Sequence, residues 1–415
     1  MRILLLNEYF PPDTAATAKM AAAVVEALGE RHHVTVLCGR PSYDPSERHP
    51  FYIWRRERRG PTGVPPVLGH GGESHSTSGV TVERVGSTTF PRHRMLHRLS
   101  NYLSYVLLAV PRALMIPADV VLAMTDPPFE GIVGAFVAWL KRRPYVYNIR
   151  DLYPEMAIAG QIVRPARWLQ IWEKLHRWAL AHAARIIVLG EDARERIISK
   201  GIDSGRIVVV RDGAQVQAPI RLRDHPVVQE VRGERPFVVL HAGNLGFYGA
   251  WETVVKAAQA LNGDGVGFVF VGDGAMRAQI QALAKGCKAV RFLPFLPADQ
   301  VPYVLAAADL HLITIRRGLE GVVVPSKLYP ILAAGRPVLA LAPEESDVAR
   351  VVRRSGCGVV ANPDDPAAMA RIVLELAEDP PRVAKMSQCA AEVAPEFARV
   401  NELRRFVETL EAAVE

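Results

Sequence analysis

The alternation of short apolar runs with helix-length segments constrains the fold of this chain more than any other sequence feature. Residues 3–6 form one apolar run, a segment with helical spacing follows, and residues 34–37 form the next run. A strand, a helix and a second strand in this order are the building unit of a parallel sheet. Further runs lie at residues 80–85, 120–123, 145–148, 186–189 and 207–210. The first half of the chain therefore predicts a doubly wound α/β domain.

The second half repeats this alternation after a polar stretch at residues 215–236. Its apolar runs lie at residues 237–241, 268–271, 290–292 and 310–315, with helical segments between them. A chain of 415 residues is also longer than one hydrophobic core usually supports. We therefore predict an α/β protein of two Rossmann-like, doubly wound domains facing a central cleft. The predicted parts are residues 1–214, residues 215–395, and a helix at residues 396–415 that is able to pack back on the first domain.

One long stretch, residues 43–79, shows neither the strand nor the helix period and is rich in Pro, Gly, Ser, His and Arg. Aperiodic segments of this length are usually functional loops or disordered ones. We expect a loop without regular structure here, and its contact with a ligand stays open.

Composition narrows the class of function without deciding it. Lys and Arg number 50 against 43 Asp and Glu, and a basic excess suits a nucleic acid, an anionic membrane surface or a phosphorylated ligand. The four cysteines lie far apart and near no histidine cluster, so neither a zinc site nor a disulfide framework is expected. A reducing, cytoplasmic setting is the expectation that follows.

No apolar run reaches the roughly 18 residues of a membrane-spanning helix. The nearest run, residues 102–116, contains Pro111 and Arg112 and follows a basic stretch at residues 92–98. It fits a core helix, and it also fits a helix that lies on the inner face of the cytoplasmic membrane with its basic side toward anionic lipid. Peripheral membrane contact is therefore one of two open alternatives.

The loop after the first apolar run, residues 7–17, lacks the G-x-G-x-x-G spacing of dinucleotide-binding folds, which argues against hydride transfer. Ala15 and Ala16 would let an anion approach the helix N-terminus, and Thr14 and Thr17 could cap that helix. An ordinary capped helix fits the same residues equally well.

Charged side chains follow two central apolar runs of the first half. Asp126 comes shortly after residues 120–123, and Arg150, Asp151 and Tyr153 come after residues 145–148. The carboxyl ends of parallel strands are where α/β domains hold ligands. These side chains therefore predict a sugar or phosphate site, although Arg150 and Asp151 could instead form a structural ion pair.

Residues 310–339 carry the strongest ligand signal, because a buried strand, a charged loop and a short helix follow one another there. Lys327 is the best phosphate candidate, since a cation and free backbone N–H groups would share one anion. We expect one of Arg316 and Arg317 to reach the ligand as well. The turn that begins at Gly243 adds a place where the backbone can approach a ligand closely.

These motifs, in this order, resemble those of bacterial glycosyltransferases of the GT-B fold. The similarity is to the large retaining family 4, in its branch of colanic acid and O-antigen fucosyl- and N-acetylfucosaminyl-transferases. The shared motifs are Tyr9-Phe10-Pro11-Pro12, Arg150-Asp151-Leu152-Tyr153-Pro154, Gly243-Asn244-Leu245-Gly246, Pro325-Ser326-Lys327 and Ala333-Ala334-Gly335-Arg336-Pro337-Val338. The resemblance spans nearly the whole chain, and the ordered set is more specific than any one motif.

The resemblance implies a hexosyltransferase-type enzyme with a UDP- or GDP-sugar donor, a saccharide or polyprenyl-linked acceptor, no cofactor, no essential metal and no nucleic acid partner. It assigns acceptor binding to residues 1–214 and donor binding to residues 215–395. Asp126 and Asp151 would face the reacting carbon. The implied donor-binding residues are Gly243, Asn244, Phe295, Leu296, Arg316, Arg317, Glu320, Ser326 and Lys327. The implied acceptor or phosphate loop contains Glu8, Tyr9, Ala15, Ala16 and Arg150.

Three departures from the family pattern accompany the resemblance, and one of them is the absence of the histidine that many members carry near Asp126. Val322 and Pro330 stand where the family keeps glutamates, and Glu320, two residues early, could replace the first of them. Tyr248 and Gly249 stand where close relatives keep a basic or amide pair. A nucleotide-sugar 2-epimerase and a non-catalytic sugar-nucleotide-binding protein therefore stay open as alternatives.

Overall fold

The computed structural model of the protein describes residues 1–42, 52–58, 79–90, 95–160, 167–215 and 224–415. Contacts between Cα atoms divide the chain into two compact units. Unit 1 contains Met1–Leu189, Arg194–Val210 and Leu403–Glu415, and unit 2 contains Gly190–Ala193 and Arg211–Glu402. Each unit is therefore assembled from separated stretches of sequence.

Unit 1 is built on a sheet whose described strands follow the order β3-β4-β2-β1-β5-β6-β7-β8. The strands are β1 (Arg2–Leu6), β2 (His33–Gly39), β3 (Trp54–Arg58), β4 (Val80–Val85), β5 (Val120–Ala123), β6 (Tyr145–Ile149), β7 (Arg185–Val188) and β8 (Ile207–Val209). The helices that begin along this stretch are α1 (Ala16–Gly29), α2 (Met95–Met115), α3 (Glu130–Lys141), α4 (Glu155–Ala159), α5 (Arg167–His182) and α6 (Glu191–Ser199).

Strand β1 lies in the middle of this sheet and explains why the apolar run at residues 3–6 is continuous. It pairs in parallel with β2 on one side and β5 on the other, with Ile3 opposite both Val34 and Val120. Ile3, Leu4, Leu5 and Leu6 are all buried. A strand without a solvent-facing side has no position that favours a polar residue, which is the pattern of a parallel sheet covered on both faces.

The edge strand β3 corrects the expectation of a structureless loop at residues 43–79. Residues 54–58 pair antiparallel with β4, and Trp54 lies opposite Val85. The strand reads WRRER, and charged side chains are common on edge strands because they discourage pairing with another chain. Residues 43–51 and 59–78 lie outside the described residues.

Unit 2 is built on a second sheet, whose described strands follow the order β11-β10-β9-β12-β13-β14 and pair in parallel. The strands are β9 (Phe237–Ala242), β10 (Val266–Val271), β11 (Val290–Leu293), β12 (Leu310–Thr314), β13 (Val338–Leu341) and β14 (Gly358–Ala361). The helices that begin along this stretch are α7 (Pro226–Arg232), α8 (Trp251–Ala260), α9 (Arg277–Leu283), α10 (Val301–Ala306), α11 (Leu328–Ala333), α12 (Asp347–Ser355), α13 (Pro366–Glu378), α14 (Pro380–Val393) and α15 (Arg399–Glu411).

The core of unit 2 lies on both faces of its sheet. Along β10, Phe268 and Phe270 belong to one buried cluster, whereas Val269 and Val271 belong to another. Neighbouring residues of a strand point to opposite faces, so each face is covered by its own apolar layer. The predicted doubly wound α/β architecture is confirmed in both units.

Helix α15 begins in unit 2 and ends in unit 1. Its residues Phe406, Val407 and Leu410 are buried in the apolar cluster that also contains Ile3 and Val34. The Nε2 atom of His32 lies 2.8 Å from a carboxylate oxygen of Glu411 in the same unit. The final residues of the chain therefore form part of the unit 1 core.

Unit 2 also contains a reciprocal pair of capping carboxylates. The backbone N–H of Asp347 donates to Asp192 at 2.9 Å, and the backbone N–H of Glu191 donates to Asp347 at 3.0 Å. Arg211 donates to Asp347 at 2.7 Å. The pKa of Asp192 is raised to about 6, chiefly by burial and also by the nearby Asp347 charge, while backbone N–H donors oppose the shift.

No helix among the described residues combines the length and apolar character needed to cross a membrane. The apolar run at residues 102–116 forms most of α2, which starts at Met95 and has a mixed surface. Tyr105 and Ala109 are buried, whereas Leu107 is 73% exposed. Helix α2 therefore packs one side on the unit 1 core and leaves apolar side chains on the other.

Candidate functional site

The loops after β1, β5 and β6 meet at one edge of the unit 1 sheet, because the three strands are parallel neighbours. The backbone N–H of Glu8 donates to the carbonyl of Asp126 at 2.7 Å, and the N–H of Gly39 donates to the carbonyl of Glu8 at 2.9 Å. Arg150 and Asp151 directly follow the last residue of β6. The topology thus places Glu8, Asp126 and Asp151 at the same sheet edge, as predicted for ligand sites in α/β domains.

Tyr153 marks where the two predicted carboxylates converge. Burial raises its pKa most strongly, and the charges of Asp151 and Asp126 raise it further. Both carboxylates therefore lie within electrostatic range of the same phenol. The Tyr153 ring stacks on Trp172 at 5.9 Å with an interplanar angle of 11°. The structure thus brings Asp126 and Asp151 around one aromatic side chain, which fits a sugar-binding surface.

Glu130 is a fourth carboxyl group at this edge, and the sequence interpretation did not identify it. It opens α3 and is fully buried, and the Tyr105 hydroxyl donates to its Oε1 atom at 3.1 Å. Burial raises its pKa well above the usual range, and the charges of Glu8 and Asp126 also raise it, against the opposing effect of the Tyr105 hydrogen bond. The shift favours the protonated form of Glu130. Its position four residues after Asp126 was the available sequence signal.

The first loop differs from the expected capping pattern. Helix α1 begins at Ala16, and its N-cap residue, Ala15, offers no side-chain hydrogen bond. The prediction that Thr14 or Thr17 caps this helix is therefore wrong. Ala15 instead packs with Tyr9 in a small buried cluster, so the loop is shaped by apolar packing.

Ala16, the first residue of α1, is exposed. The loop before it is held by internal hydrogen bonds: the Asn7 side-chain amide donates to the carbonyl of Tyr9 at 2.6 Å. The fully buried Arg84 donates to the carbonyl of Pro11 at 2.5 Å. The backbone of this loop is thus tied to the sheet, and Ala16 leaves the start of α1 sterically open.

In unit 2, the predicted cation Lys327 lies over the predicted glycine turn. A Cβ atom on Gly243 would stand 3.4 Å from Lys327 Nζ, and Gly243 has φ of +130°, a region that favours glycine. The same Nζ lies 3.0 Å from Nε2 of His241. Gly243 and Lys327 therefore form one small site, although they lie 84 positions apart in sequence.

His241 and Lys327 share a buried, low-dielectric environment. Burial lowers the pKa of Lys327 from 10.5 to about 7. Burial also lowers the pKa of His241 well below its usual range, and the Lys327 charge adds to this shift. The Nδ1 atom of the neutral ring lies 3.3 Å from the Leu312 carbonyl, and Nε2 lies 3.4 Å from the Asn244 carbonyl. In the tautomer with the proton on Nδ1, Nε2 accepts from the Lys327 ammonium. Sequence interpretation missed His241, which is an apparently ordinary member of strand β9.

The turn after Gly243 is fixed by a second glycine turn behind it. The backbone N–H of Leu245 donates to the carbonyl of Asp273 at 2.8 Å. A Cβ atom on Gly272 would lie 2.1 Å from the Gly243 carbonyl oxygen, so only glycine fits there. The Tyr248 hydroxyl donates to the Asn244 carbonyl at 2.7 Å. Tyr248, which stands where relatives carry a basic or amide group, thus supports the turn.

The remaining predicted donor residues lie in loops at the carboxyl ends of β11 and β12. The backbone N–H of Arg316 donates to the carbonyl of Tyr248 at 2.8 Å, which ties its loop to the glycine turn. Arg317 instead forms an exposed ion pair with Asp364 at 2.8 Å. Glu320 is partly buried, and Ser326 and Phe295 are exposed, Phe295 by 61%. Leu296 packs partly against the apolar cluster under β9 and β10.

The two positions that lack the family glutamates have clear structural roles. Val322 is 2% exposed and belongs to the core. Pro330 is the third residue of α11, which begins at Leu328, so the helix starts late enough to accept a proline in its first turn. Neither position has a carboxylate to offer a ligand. Within the described residues, no group of three His, Cys, Asp or Glu side chains is placed to hold a metal ion.

Comparisons with known proteins match both units. Residues 16–213 match the model described as "Glycosyl transferase 4-like domain", and residues 236–379 match the model described as "Glycosyl transferases group 1". The chain is 28% identical over 267 residues to the probable glycosyltransferase WbjE of Pseudomonas aeruginosa. The aligned region covers 63% of this chain and 66% of WbjE, so the chain spans just under two thirds of that relative.

Two further similarities extend along more of the chain. It is 22% identical over 348 residues to WcaI, the putative colanic acid biosynthesis glycosyl transferase of Escherichia coli (strain K12), covering 81% of this chain and 82% of WcaI. The fold is similar to that of Anabaena HepE, whose crystal structure contains UDP-glucose. That similarity has a TM-score of 0.69 and 18% identity, and it covers 99% of this chain and 100% of HepE.

Proposed function

We infer the function from the premise that this chain belongs to the family 4 glycosyltransferases of the GT-B fold. We propose that it builds a cell-surface polysaccharide. The proposed reaction moves a sugar from a UDP- or GDP-sugar to a saccharide acceptor carried on a lipid phosphate, with retention of anomeric configuration. The names of WbjE and WcaI and the UDP-glucose in the HepE structure support this proposal. The proposed location is cytoplasmic, at the inner face of the cytoplasmic membrane.

The contact between Lys327 and the Gly243 turn is the observation that carries the donor part of the proposal. A diphosphate needs a positive charge and a close approach of backbone N–H groups. Lys327 Nζ supplies the charge, and the absence of a side chain at Gly243 leaves room for an anion to approach the backbone of the turn. The neutral His241 ring holds the ammonium in place without competing for the anion.

The other donor residues surround this centre in the proposal. Asn244 contacts the diphosphate next to Gly243, and Phe295 and Leu296 contact the base. Arg316, whose loop is tied to the glycine turn, is the arginine proposed to reach the phosphates, while Arg317 keeps its ion pair with Asp364. Ser326 and Glu320 contact the phosphates and the sugar, with Glu320 in place of the family glutamate. No metal is required in this scheme, because protein cations and N–H groups stabilise the leaving diphosphate.

The acceptor part of the proposal rests on the carboxylate edge of unit 1. Asp126 and Asp151 would hold the acceptor hydroxyl at the reacting carbon, with Glu8 and Arg150 beside them. Burial raises the pKa of Glu130 well above its usual range, which favours the protonated form, and a protonated carboxyl can donate a hydrogen bond that a charged carboxylate cannot. In this mechanism the bond between the sugar and the diphosphate breaks, the acceptor oxygen bonds to the sugar carbon on the same face, and the leaving phosphate takes the acceptor proton. No protein nucleophile is required.

Thermal-shift screening against UDP-, GDP- and dTDP-sugars tests the donor assignment. A donor at roughly 100 times its Kd adds about 2.7 kcal/mol to folding stability, which raises the Tm by about 5–10 °C for a unit of this size. Lys327→Ala should remove most of this shift, since a charge-assisted contact contributes about 1.5–3 kcal/mol. Lys256→Ala is the matched control, because Lys256 is an exposed lysine on α8 paired with Glu252. A wild-type protein that no donor stabilises would contradict the proposal.

The absence of carboxylates at Val322 and Pro330 favours a second candidate, a sugar-nucleotide-binding protein that does not catalyse transfer. Both candidates predict donor binding, so binding does not separate them. Release of the free nucleotide in the presence of an acceptor, above the rate without protein, distinguishes transfer from binding alone. A product formed from the donor without any acceptor would instead indicate the 2-epimerase alternative.

A further inference from the structure

A large apolar pocket lies within unit 1, between helices α2, α3 and α5. Its volume is about 690 Å³, inside the range of about 300–1,000 Å³ that small-molecule sites occupy. Among the described residues, the lining side chains are apolar or aromatic apart from one charged residue, Arg98. Aromatic rings form one wall, where Trp172 stacks between Trp168 and Tyr153 with both centroid distances at 5.9 Å. A ligand for this pocket must therefore be largely hydrocarbon.

The pocket begins where the carboxylate edge of unit 1 ends. Pro128 and Phe129, which line it, follow Asp126 by two and three residues. Tyr153, another lining residue, lies in the fields of Asp126 and Asp151, which raise its pKa, and in that of Arg98, which lowers it. Arg98 also donates to the Tyr102 hydroxyl at 3.4 Å. One end of the pocket therefore brings a cation and the candidate acceptor carboxylates together around Tyr153.

The charge of the surrounding helices selects for an anionic head group. Helix α2 contains no Asp or Glu, and the acidic residue of α3, Glu130, is buried. On α5, Glu173 is paired with Lys200 at 2.8 Å. Among the basic residues of these helices, Arg112 is paired with Glu83 at 2.6 Å. The others, along the helices and just after α3, are Arg98, Lys141, Arg142, Arg143, Arg167, Lys174 and Arg177. An apolar chain with a phosphate at its end matches both the apolar lining of the pocket and the positive charge of the helices around it.

We propose that this pocket binds the isoprenoid chain of the acceptor lipid, with the lipid phosphate at Arg98 and the acceptor sugar at Asp126 and Asp151. This inference rests on the proposed function and adds to it the site for the acceptor carrier. The chain lies between α2 and α5, in contact with Leu99, Ile171 and the stacked indoles. The phosphate at the pocket end fixes how far the saccharide reaches toward the carboxylates. A concave site of this kind takes up a single lipid molecule, in contrast to a helix face that rests on a bilayer.

Titration of the full-length protein with farnesyl phosphate tests this site. Trp168 and Trp172 line the pocket, so binding should change the tryptophan fluorescence and saturate. Leu99→Gln should weaken binding by about fivefold or more, because a buried apolar contact of this size contributes more than 1 kcal/mol. Ile171→Gln on α5 should have the same effect and serves as the second variant in case one of the two folds poorly. Arg98→Gln should weaken farnesyl phosphate but leave farnesol unchanged.

Leu107→Gln is the matched control, because Leu107 lies on the same helix, is 73% exposed and does not line the pocket. It should bind farnesyl phosphate as the wild type does. Equal weakening by Leu99→Gln and Leu107→Gln would overturn the proposal. Binding that occurs only on vesicles of anionic phospholipid, or a dimer in sedimentation that Leu99→Gln dissociates, would assign the pocket to a bilayer or a second copy and also overturn it.

The outcome is separable from that of the proposed function. A Tm increase with a nucleotide sugar, together with no saturable farnesyl phosphate binding, would reject the lipid pocket and leave the transferase proposal in place. Farnesyl phosphate binding that Leu99→Gln weakens, together with no stabilisation by any nucleotide sugar, would support the pocket and reject the proposed donor chemistry.

Discussion

Proton uptake on donor binding is the sharpest consequence of the Lys327 environment. Burial lowers the pKa of Lys327 to about 7, so about half of the free protein carries a neutral amine there at pH 7. A bound diphosphate places negative charge beside Nζ and favours the ammonium form. At pH 8 about 90% of the free lysines are neutral, and binding should take up about 0.9 proton, against about 0.5 at pH 7.

The same linkage sets how affinity changes with pH. Only the protonated form binds tightly, so the Kd for UDP should rise by about fiftyfold between pH 7 and pH 9. The direction follows from the sign of the shift, because raising the pH removes the proton that the complex requires. The phosphates of UDP change little in charge over this interval, since their second pKa is near 6.

Titration calorimetry with UDP at pH 8, in buffers of different ionisation enthalpy, measures the uptake directly. Lys327→Arg should bind UDP without proton uptake, because a guanidinium stays charged throughout this range. Lys327→Met should bind weakly and without pH dependence. Lys256→Met, at the exposed pair with Glu252, should behave as the wild type does. Tight wild-type binding at pH 8 with the same apparent enthalpy in every buffer would refute the assignment of Lys327 to the diphosphate.

The remaining predictions concern stability. Asp192 has its pKa raised to about 6 in the folded protein, so its contribution to the free energy of unfolding is largest below about pH 4 and falls as the pH rises to 6. Asp192→Asn should remove this fall in the free energy of unfolding, which is about 2 kcal/mol between pH 4.5 and 7. Urea unfolding midpoints of the wild type and the variant at the two pH values measure it, and an equal fall in both proteins would contradict the prediction. Gly272→Ala should lower the Tm and weaken UDP binding by more than tenfold, because its methyl group would strike the Gly243 carbonyl. Gly263→Ala, with open space and a similar φ of +130°, separates the steric effect from backbone strain.

The two sheets could be predicted from sequence because each strand of a covered parallel sheet is apolar on both faces. Residues 3–6 and 268–271 show this directly, and both runs lie inside buried strands. Strand β3 could not be predicted, since its edge position allows WRRER, a sequence with no period. The capping error at Thr14 and Thr17 has a related cause: apolar packing of Ala15 with Tyr9 decided where α1 begins.

The candidate site was predictable only in part, because some of its residues follow strand ends and others are defined only by the packing of distant segments. Lys327, Gly243, Asp126 and Asp151 follow strand ends, where sequence position indicates the sheet edge. The partnership of Lys327 with His241 depends on the packing of distant segments, so a histidine inside an apolar strand gave no sign of it. Glu130 was missed because a buried carboxyl at a helix start has the same sequence appearance as a solvated one.

The return of the last residues to unit 1 has a consequence for how the protein is made. The unit 1 core contains Phe406, Val407 and Leu410, so it is incomplete until residues 403–415 have been synthesised. Burial of each such side chain contributes about 1.5–3 kcal/mol, a large share of the stability of an average domain. During synthesis the core of the first unit is therefore completed only after residues 403–415 have been added, by which time the residues of the second unit have been synthesised. A fragment that stops at residue 402 would leave its first 200 residues without a finished core.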